Sequence, residues 1–194
     1  MTVDGALPGV QGMADDLVER AGAGSVAAFE VLVRRHDRRM LALAWRLTGQ
    51  LEDAQDVTQD ALARLHANLH RFQSEDEIGP WLRMVTVNLC RDLARRKRRS
   101  PVVAGEEWNS QAAGEANPEE EASGQQREEI LRSALQRLTG KERTALVLRE
   151  LEGLTTAEVA KITGVAEATV RVQILHARLK LRKLLSGRLG RESQ

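Results

Sequence analysis

The sequence predicts an all-α protein made of two helical domains joined by a flexible acidic linker. Apolar residues recur at intervals of three and four through most of the chain, which is the period of an amphipathic helix. No segment alternates apolar and polar residues as a half-buried strand does. Residues 100–126 are rich in glycine, alanine, serine, proline and glutamate and have almost no apolar periodicity, which is typical of a linker.

Charge is unevenly distributed along these 194 residues, although the formal net charge is only +1. Residues 91–99 contain six basic side chains and one acidic side chain, Asp92. The linker contains six glutamates and no basic residue, whereas residues 168–191 contain no acidic residue. The mean charge therefore hides two basic surfaces and an acidic connector.

The single cysteine and the hydropathy of the chain exclude several protein classes. One cysteine, Cys90, cannot form an internal disulfide, and its apolar neighbours predict a buried side chain. No apolar run is long enough to cross a membrane, and the N-terminus has no secretory pattern. We therefore expect a cytoplasmic protein with no membrane-inserted segment.

The first domain is predicted over residues 14–99, after a glycine-rich N-terminus of residues 1–13 that we expect to be disordered. A short helix is expected over residues 14–21. Glycines then interrupt it, and Ser25 can cap the next helix. That second helix carries apolar residues at helical spacing and is expected to end at Gly49.

Two further helices complete the predicted first domain. The third is expected to begin at Glu52, with acidic residues at its positive end, and to end near Leu69. A polar loop is expected over residues 70–79. Pro80 is then expected as the first residue of a fourth helix that runs to about Arg98.

The second domain is predicted over residues 127–186, followed by a tail of residues 187–194. One helix is expected from about Arg127. Another is opened by a capping box, in which a threonine is followed three residues later by a glutamate, at Thr139–Glu142. Gly153 is expected to end that helix.

A helix-turn-helix is predicted after this point. Thr155–Glu158 is a second capping box, Gly164 can adopt the left-handed conformation that ends a helix, and a last helix starts near Glu167. Its basic character favours binding in the DNA major groove. The alternative is an ordinary pair of bundle helices with a solvated basic face.

Two surfaces of the first domain carry opposite charge. The third helix has an acidic stripe, with Asp53, Asp56 and Asp60 on one face beside Gln59. It is either a solvated face or a docking surface for a basic partner helix. The fourth helix is basic: its arginines either form a solvated helix end or bind phosphates with little sequence information. The aromatic residues before it, Phe72 and Trp81, are either core residues or a platform for an unstacked base.

In this order, these elements resemble the extracytoplasmic-function (ECF) sigma factors of the sigma-70 family. The resemblance is carried by residues 28–32, 52–61, 71–72, 81–92, 151–160 and 169–171. In that family the first domain, region 2, binds the β′ clamp helices of core RNA polymerase and melts the −10 promoter element. The second domain, region 4, binds the −35 element and the β flap.

The resemblance implies a role for individual residues of this chain. Clamp binding would involve Asp53, Asp56, Gln59 and Asp60. Contacts to the −10 element would involve Phe72, Trp81, Asn88, Arg91, Asp92, Arg95 and Arg96, with residues 72–79 holding a flipped base. Contacts to the −35 element would involve Thr169, Arg171, Val172, Leu175, His176 and Arg178. The resemblance also implies promoter DNA as a partner and control by an anti-sigma factor, with no cofactor.

The last helix departs from the usual family pattern. Val172 stands in place of a serine, and Gln173 and His176 in place of arginines. Helical geometry points Val172, Leu175, His176 and Leu179 away from the core, which makes this face unusually apolar. Such a face suits thymine methyl groups or a partner protein that masks the domain.

Two other function classes compete with this interpretation. A DNA-binding response-regulator output protein would need a receiver or ligand pocket in the first domain, where this chain has an acidic and a basic helix. A helical enzyme would need a catalytic constellation. The four histidines are scattered without metal-ligand spacing, so we expect neither a metal nor a catalytic site.

Overall fold

The computed structural model of the chain describes residues 16–99 and 129–189, with side chains described as far as residue 184. Within these ranges all regular secondary structure is helical. The expected disorder of residues 1–13 and the predicted linker over residues 100–126 lie outside the described residues. The described residues fall into two compact units, 16–44 with 52–90 and 45–51 with the rest.

Four helices form the first part of the chain. They are α1 (16–22), α2 (Val26–Thr48), α3 (Leu51–Asn68) and α4 (Glu75–Arg99). The breaks after α1 and α2 come at glycines with positive φ, Gly24 at 95° and Gly49 at 81°. Ser25 caps α2 as expected, since its Oγ accepts a hydrogen bond from the Ala28 N–H at 3.3 Å.

The core of the first unit follows from the apolar periodicity of these helices. Its largest fully buried side chains are Val18, Leu32, Leu43, Leu65, Ile78, Leu82 and Val87. They come from all four helices of this part, so each helix buries one face. Cys90 is buried, as its sequence context predicted.

The fourth helix begins earlier than its proline suggested. The prediction of a polar loop over residues 70–79 and a helix start at Pro80 was wrong, because α4 already begins at Glu75 and Pro80 lies inside it. Leu69–Arg71 form a short 3-10 helix. Only residues 72–74 separate that turn from α4.

Charge and burial explain this early start. Three acidic residues, Glu75, Asp76 and Glu77, occupy the first turn, where they stabilise the positive end of the helix. Ile78 is fully buried one turn before the buried Leu82. These contributions offset the main-chain hydrogen bond that a proline removes from a helix.

Four helices and a π-turn form the second part of the chain. They are α5 (129–136), α6 (Gly140–Leu146), the π-turn Val147–Leu151, α7 (Thr156–Thr163) and α8 (Glu167–Leu189). The sequence predicts one continuous helix up to Gly153. In the structure α6 ends at Leu146 and continues as the π-turn Val147–Leu151.

The capping boxes and the glycine end predicted for this part are confirmed, whereas α8 extends to Leu189, three residues into the tail predicted over residues 187–194. Both capping boxes are formed: in each, the threonine side chain accepts a bond from the glutamate N–H and the glutamate side chain accepts one from the threonine N–H. Gly164 adopts the left-handed conformation at φ 69° and ends α7. The buried residues Val159, Val170 and Ala177 join α7 to α8 in one core.

Gly164→Ala should lower the free energy of unfolding by about 1 kcal/mol, because alanine disfavours the left-handed conformation that glycine adopts freely. Urea unfolding followed by circular dichroism would measure this change. Gly22→Ala is the matched control, since Gly22 lacks a positive φ and faces open space. Equal destabilisation by the two substitutions would contradict the role assigned to Gly164.

Candidate functional surfaces

The acidic stripe of α3 faces outward. Asp56, Gln59 and Asp60 are exposed, and Asp53 is partly exposed. The opposite face of α3 packs into the core through buried residues that include Val57, Ala61 and Leu65. Because the helix is fixed by that apolar face, the carboxylates are held on one side as a negative surface.

A groove lies beside this stripe, between α2 and α3. Its volume is about 640 Å³, and its lining includes Phe29 and Val33 from α2 and Gln59 and Leu62 from α3. Phe29 contacts His66 edge-to-face, with ring centroids 4.9 Å apart. Phe29, Val33 and Leu62 lie at helical spacing with buried residues, but each is only half-buried. Helical periodicity places a residue on the inner face without revealing whether another element covers it.

The two aromatic residues near the start of α4 form a pair. Phe72 and Trp81 meet edge-to-face with ring centroids 5.3 Å apart, and both are half-buried. Neither is a fully buried core residue. Only residues 73 and 74 lie between Phe72 and the start of α4, because the helix begins at Glu75.

Glu75 fixes the beginning of α4 against α2. Its carboxylate forms an ion pair with Arg35 and lies 3.8 Å from the Nε2 atom of His36. Burial lowers the pKa of His36, and the nearby arginines lower it further against the opposing effect of Glu75. Beside this cluster the Gln73 N–H donates to the Glu77 carboxylate at 3.0 Å. The residues that follow Phe72 are therefore tied to the helix rather than free.

The basic end of α4 is exposed. Asn88, Arg91, Arg95 and Arg96 are exposed, and Asp92 is partly exposed and paired with Arg95. Arginines that project from the end of a helix can follow a phosphate backbone. The structure thus brings the predicted −10 residues of α4 onto accessible helix surface.

The predicted −35 residues all lie on the exposed surface of α8. These are Thr169, Arg171, Val172, Leu175, His176 and Arg178. Both arginines of this set form ion pairs within the second unit. Arg171 pairs with Glu167 at 2.8 Å, one turn earlier, and Arg178 pairs with Glu150 at 2.6 Å.

Lys180 has a structural role that its sequence context concealed. The sequence groups it with the basic residues of α8, but its Nζ atom donates to both carboxylate oxygens of Glu142 at 2.8 Å. Burial raises the pKa of Glu142, but hydrogen bonds from Lys180 and Thr139 outweigh it and hold that pKa below its usual value. Sequence distance hid this pair, because the two residues are 38 positions apart.

Glu142→Gln should remove a stabilisation that depends on pH. The glutamine side chain would retain the capping box, so the variant removes mainly the charge. Since the pKa of Glu142 is lowered from 4.5 in the folded state, its contribution is present above about pH 4.5 and lost as pH falls through the folded pKa. Near neutral pH the wild type should therefore have a higher urea midpoint than the variant. Its free energy of unfolding should be greater by about 1–2 kcal/mol, a modest value because Lys180 is half-exposed. A stability difference that stays constant down to about pH 3 would contradict this assignment.

Neither a metal-ion site nor a membrane-spanning helix is found in residues 16–99 and 129–189. No group of three or more histidine, cysteine, aspartate or glutamate side chains is placed to hold a metal ion there. No helix in these ranges is long and apolar enough to span a membrane.

Two family matches cover these surfaces. Residues 32–100 match the family described as sigma-70 region 2, and residues 128–181 match the family described as sigma-70, region 4. The first match contains α3 and α4. The second contains α6, α7 and the first fifteen residues of α8.

Named relatives extend the similarity across most of the chain. The ECF RNA polymerase sigma factor SigM of Mycobacterium tuberculosis is 35% identical over 164 residues, covering 84% of this chain and 80% of that protein. The RNA polymerase sigma-H factor of Pseudomonas aeruginosa is 31% identical, covering 87% of this chain and 92% of that protein. The ECF RNA polymerase sigma-E factor of Escherichia coli K12 is 31% identical, covering 84% and 88%.

Solved structures share the fold. CnrH, solved in complex with the cytosolic domain of CnrY, aligns with a TM-score of 0.61 and 27% identity over 90% of this chain and 97% of CnrH. The sigma factor RpoE of Bartonella quintana, solved with the anti-sigma factor NepR, aligns with a TM-score of 0.63 and 23% identity over 83% and 98%. Sequence identity, coverage and fold therefore agree that this chain belongs to the ECF RNA polymerase sigma factors of the sigma-70 family.

Proposed function

We propose that this chain binds core RNA polymerase, directs it to specific promoters through their −35 and −10 elements, and promotes DNA melting. The observation that carries the proposal is the combination of a negative face on α3 with exposed basic surfaces on α4 and α8. A transcription initiation factor needs one surface for polymerase and others for DNA phosphates. In this role the chain is a cytoplasmic initiation factor and not an enzyme.

The acidic stripe on α3 is the proposed docking surface for the clamp helices of the β′ subunit. Asp53, Asp56, Gln59 and Asp60 would face a basic partner helix, and the opposite charges would favour fast, oriented association. The second domain would contact the β flap as well as DNA.

The −10 element is assigned to the region from Phe72 through α4. The half-buried aromatic residues Phe72 and Trp81 offer a place for an unstacked base. Further along the helix, the −10 strand would be contacted by Asn88, Arg91, Asp92, Arg95 and Arg96. The −35 element is assigned to the exposed face of α8 that contains Thr169, Arg171, Val172, Leu175, His176 and Arg178.

An anti-sigma factor is the proposed regulator of this activity. Support comes from CnrH, a structural relative at 27% identity that was solved with a partner protein domain. The apolar groove between α2 and α3 and the apolar residues of α8 are accessible surfaces of the kind that protein partners cover.

Run-off transcription tests the proposed function. Core polymerase from the organism that encodes the chain would transcribe fragments of that organism's DNA with and without the purified protein. We expect transcripts with defined 5′ ends only when the chain is present, with a shared motif upstream of those ends. Identical transcripts in the two reactions would overturn the proposal.

Arg95→Ala combined with Arg96→Ala should weaken open-complex formation and reduce its salt dependence by about one to two ion equivalents. Both side chains are exposed, so their removal should not affect folding. Open-complex formation across a salt series would measure the slope. The control is Arg20→Ala with Arg34→Ala, which removes two exposed arginines from α1 and α2. Normal melting by the Arg95/Arg96 variant at every salt concentration would contradict the assignment.

A further inference from the structure

An aliphatic ridge runs along the exposed face of α8. Val172, Leu175 and Leu179 are 50%, 55% and 48% exposed, which is unusual for large apolar side chains on one helix face. At about 100° per residue they lie within a narrow sector of the helix, close to the exposed Ala168. The buried residues Val170, Ile174 and Ala177 lie on the opposite side.

Polar and basic side chains flank this ridge on both sides. Helical geometry places Arg171, Arg178 and Arg182 along one side and Thr169, His176 and Lys183 along the other. Glu167 and Glu150 hold the Arg171 and Arg178 guanidinium groups at their positions beside the ridge. The surface is therefore an apolar centre between two rows of donors.

This distribution matches the cross-section of a DNA major groove. Phosphates line both edges of the groove and attract flanking cations such as Arg178, Arg182 and Lys183, while the base edges lie between them. Most base-edge groups in the major groove are hydrogen-bond donors or acceptors, and the apolar group among them is the C5-methyl of thymine. Among these base-edge groups, the C5-methyl of thymine is the one to which an aliphatic ridge is complementary.

Position along the helix also favours DNA. The N-terminal half of the second helix in a helix-turn-helix makes the base contacts, and Val172 and Leu175 lie in the first ten residues of α8. Two copies of this chain would bring like-charged arginine rows together, which disfavours a homodimer through the ridge.

We propose that Val172 and Leu175 read the C5-methyl groups of thymines in the −35 element. The inference rests on the proposed function, because it assigns a chemistry to the −35 contacts of α8. It predicts that the −35 motif contains at least one thymine whose methyl group, rather than its hydrogen-bonding groups, is recognised.

Deoxyuridine substitution tests this inference, since it removes only the methyl group of a thymine. Holoenzyme would be assembled from core polymerase and the full chain, on a promoter identified by the run-off experiment. Each thymine of the −35 element would be replaced in turn by deoxyuridine, with the −10 element unchanged. At one or two positions we expect the Kd to rise about four-fold, the equivalent of one buried methyl group.

Variants then connect the methyl group to the ridge. Val172→Ala combined with Leu175→Ala should bind the thymine promoter more weakly and show no further loss on the deoxyuridine promoter. Alanine favours helix, so the variant should fold. Val26→Ala is the control, because Val26 is 71% exposed on α2 outside α8, and this variant should keep the full deoxyuridine effect.

The outcomes separate the inference from the function on which it rests. Absence of any chain-dependent start site would overturn the proposed function. Normal initiation with no thymine in the −35 motif, or with equal Kd for thymine and deoxyuridine, would overturn only the methyl-reading inference. The inference would also fail if the ridge variant kept the full deoxyuridine effect, or if it bound the promoter normally and lost only an inhibitory protein.

Discussion

Asp56→Arg combined with Asp60→Arg should abolish binding of the chain to core RNA polymerase. Both carboxylates are exposed on the same face of α3, so two reversals replace an attractive surface with a repulsive one. Like charges placed opposite each other at an interface cost several kcal/mol. Co-purification with core polymerase and competition against another sigma factor would measure the loss.

The control for this experiment changes the same amount of charge elsewhere. Glu19→Arg combined with Glu30→Arg reverses two exposed carboxylates on α1 and α2 and should leave polymerase binding close to that of the wild type. Circular dichroism should be the same for both variants, since exposed helix positions tolerate substitution. Retained co-purification of the Asp56/Asp60 variant would place the polymerase surface elsewhere.

Arg171→Ala should weaken binding to the −35 element by about 1–3 kcal/mol, the range for a bidentate contact between arginine and a base. This exceeds the effect expected for Leu175→Ala, because a single apolar contact contributes about 1 kcal/mol. Binding of the holoenzyme to promoters with an intact or scrambled −35 element would separate specific from non-specific affinity.

Arg149→Ala is the matched control for the arginine variant. Arg149 is exposed in the π-turn, outside α8, so its removal should change only the weak electrostatic attraction to DNA. If a protein partner is the main ligand of this face, Leu175→Ala should weaken that partner's binding more than Arg171→Ala does, because buried aliphatic anchors dominate interfaces. Equal affinity of wild type and Arg171→Ala for the specific promoter would contradict promoter reading by this residue.

Local chemistry explains why most helix ends were predictable. A capping box needs only a threonine and a glutamate three residues apart, and both Thr139–Glu142 and Thr155–Glu158 form as expected. Gly164 ends α7 because glycine alone reaches its φ without strain. The outward direction of Val172 and Leu175 followed from the same kind of argument, since the buried stripe of α8 fixes its opposite face.

The start of α4 was less predictable because two local signals compete. Pro80 is typical of a helix start, whereas Glu75 and its acidic neighbours favour an earlier one. Burial of Ile78 and the ion pair between Glu75 and Arg35 of α2 decide between them, and both depend on tertiary packing. Periodicity alone does not contain that information.

The sequence by itself determined the helical class, the order of sigma-70 regions 2 and 4, and the acidic and basic helix faces. These features depend on the apolar period, the capping residues and the local charge of the chain. Tertiary structure decided which of the polar residues are structural. In the sequence Lys180 is one of several basic residues of α8, whereas in the folded chain it forms hydrogen bonds with Glu142. Likewise, Phe29 and Leu62 lie at helical spacing with buried residues, yet both line a groove between α2 and α3. Contacts between residues distant in the chain depend on how the helices pack, and a local sequence pattern does not predict that packing.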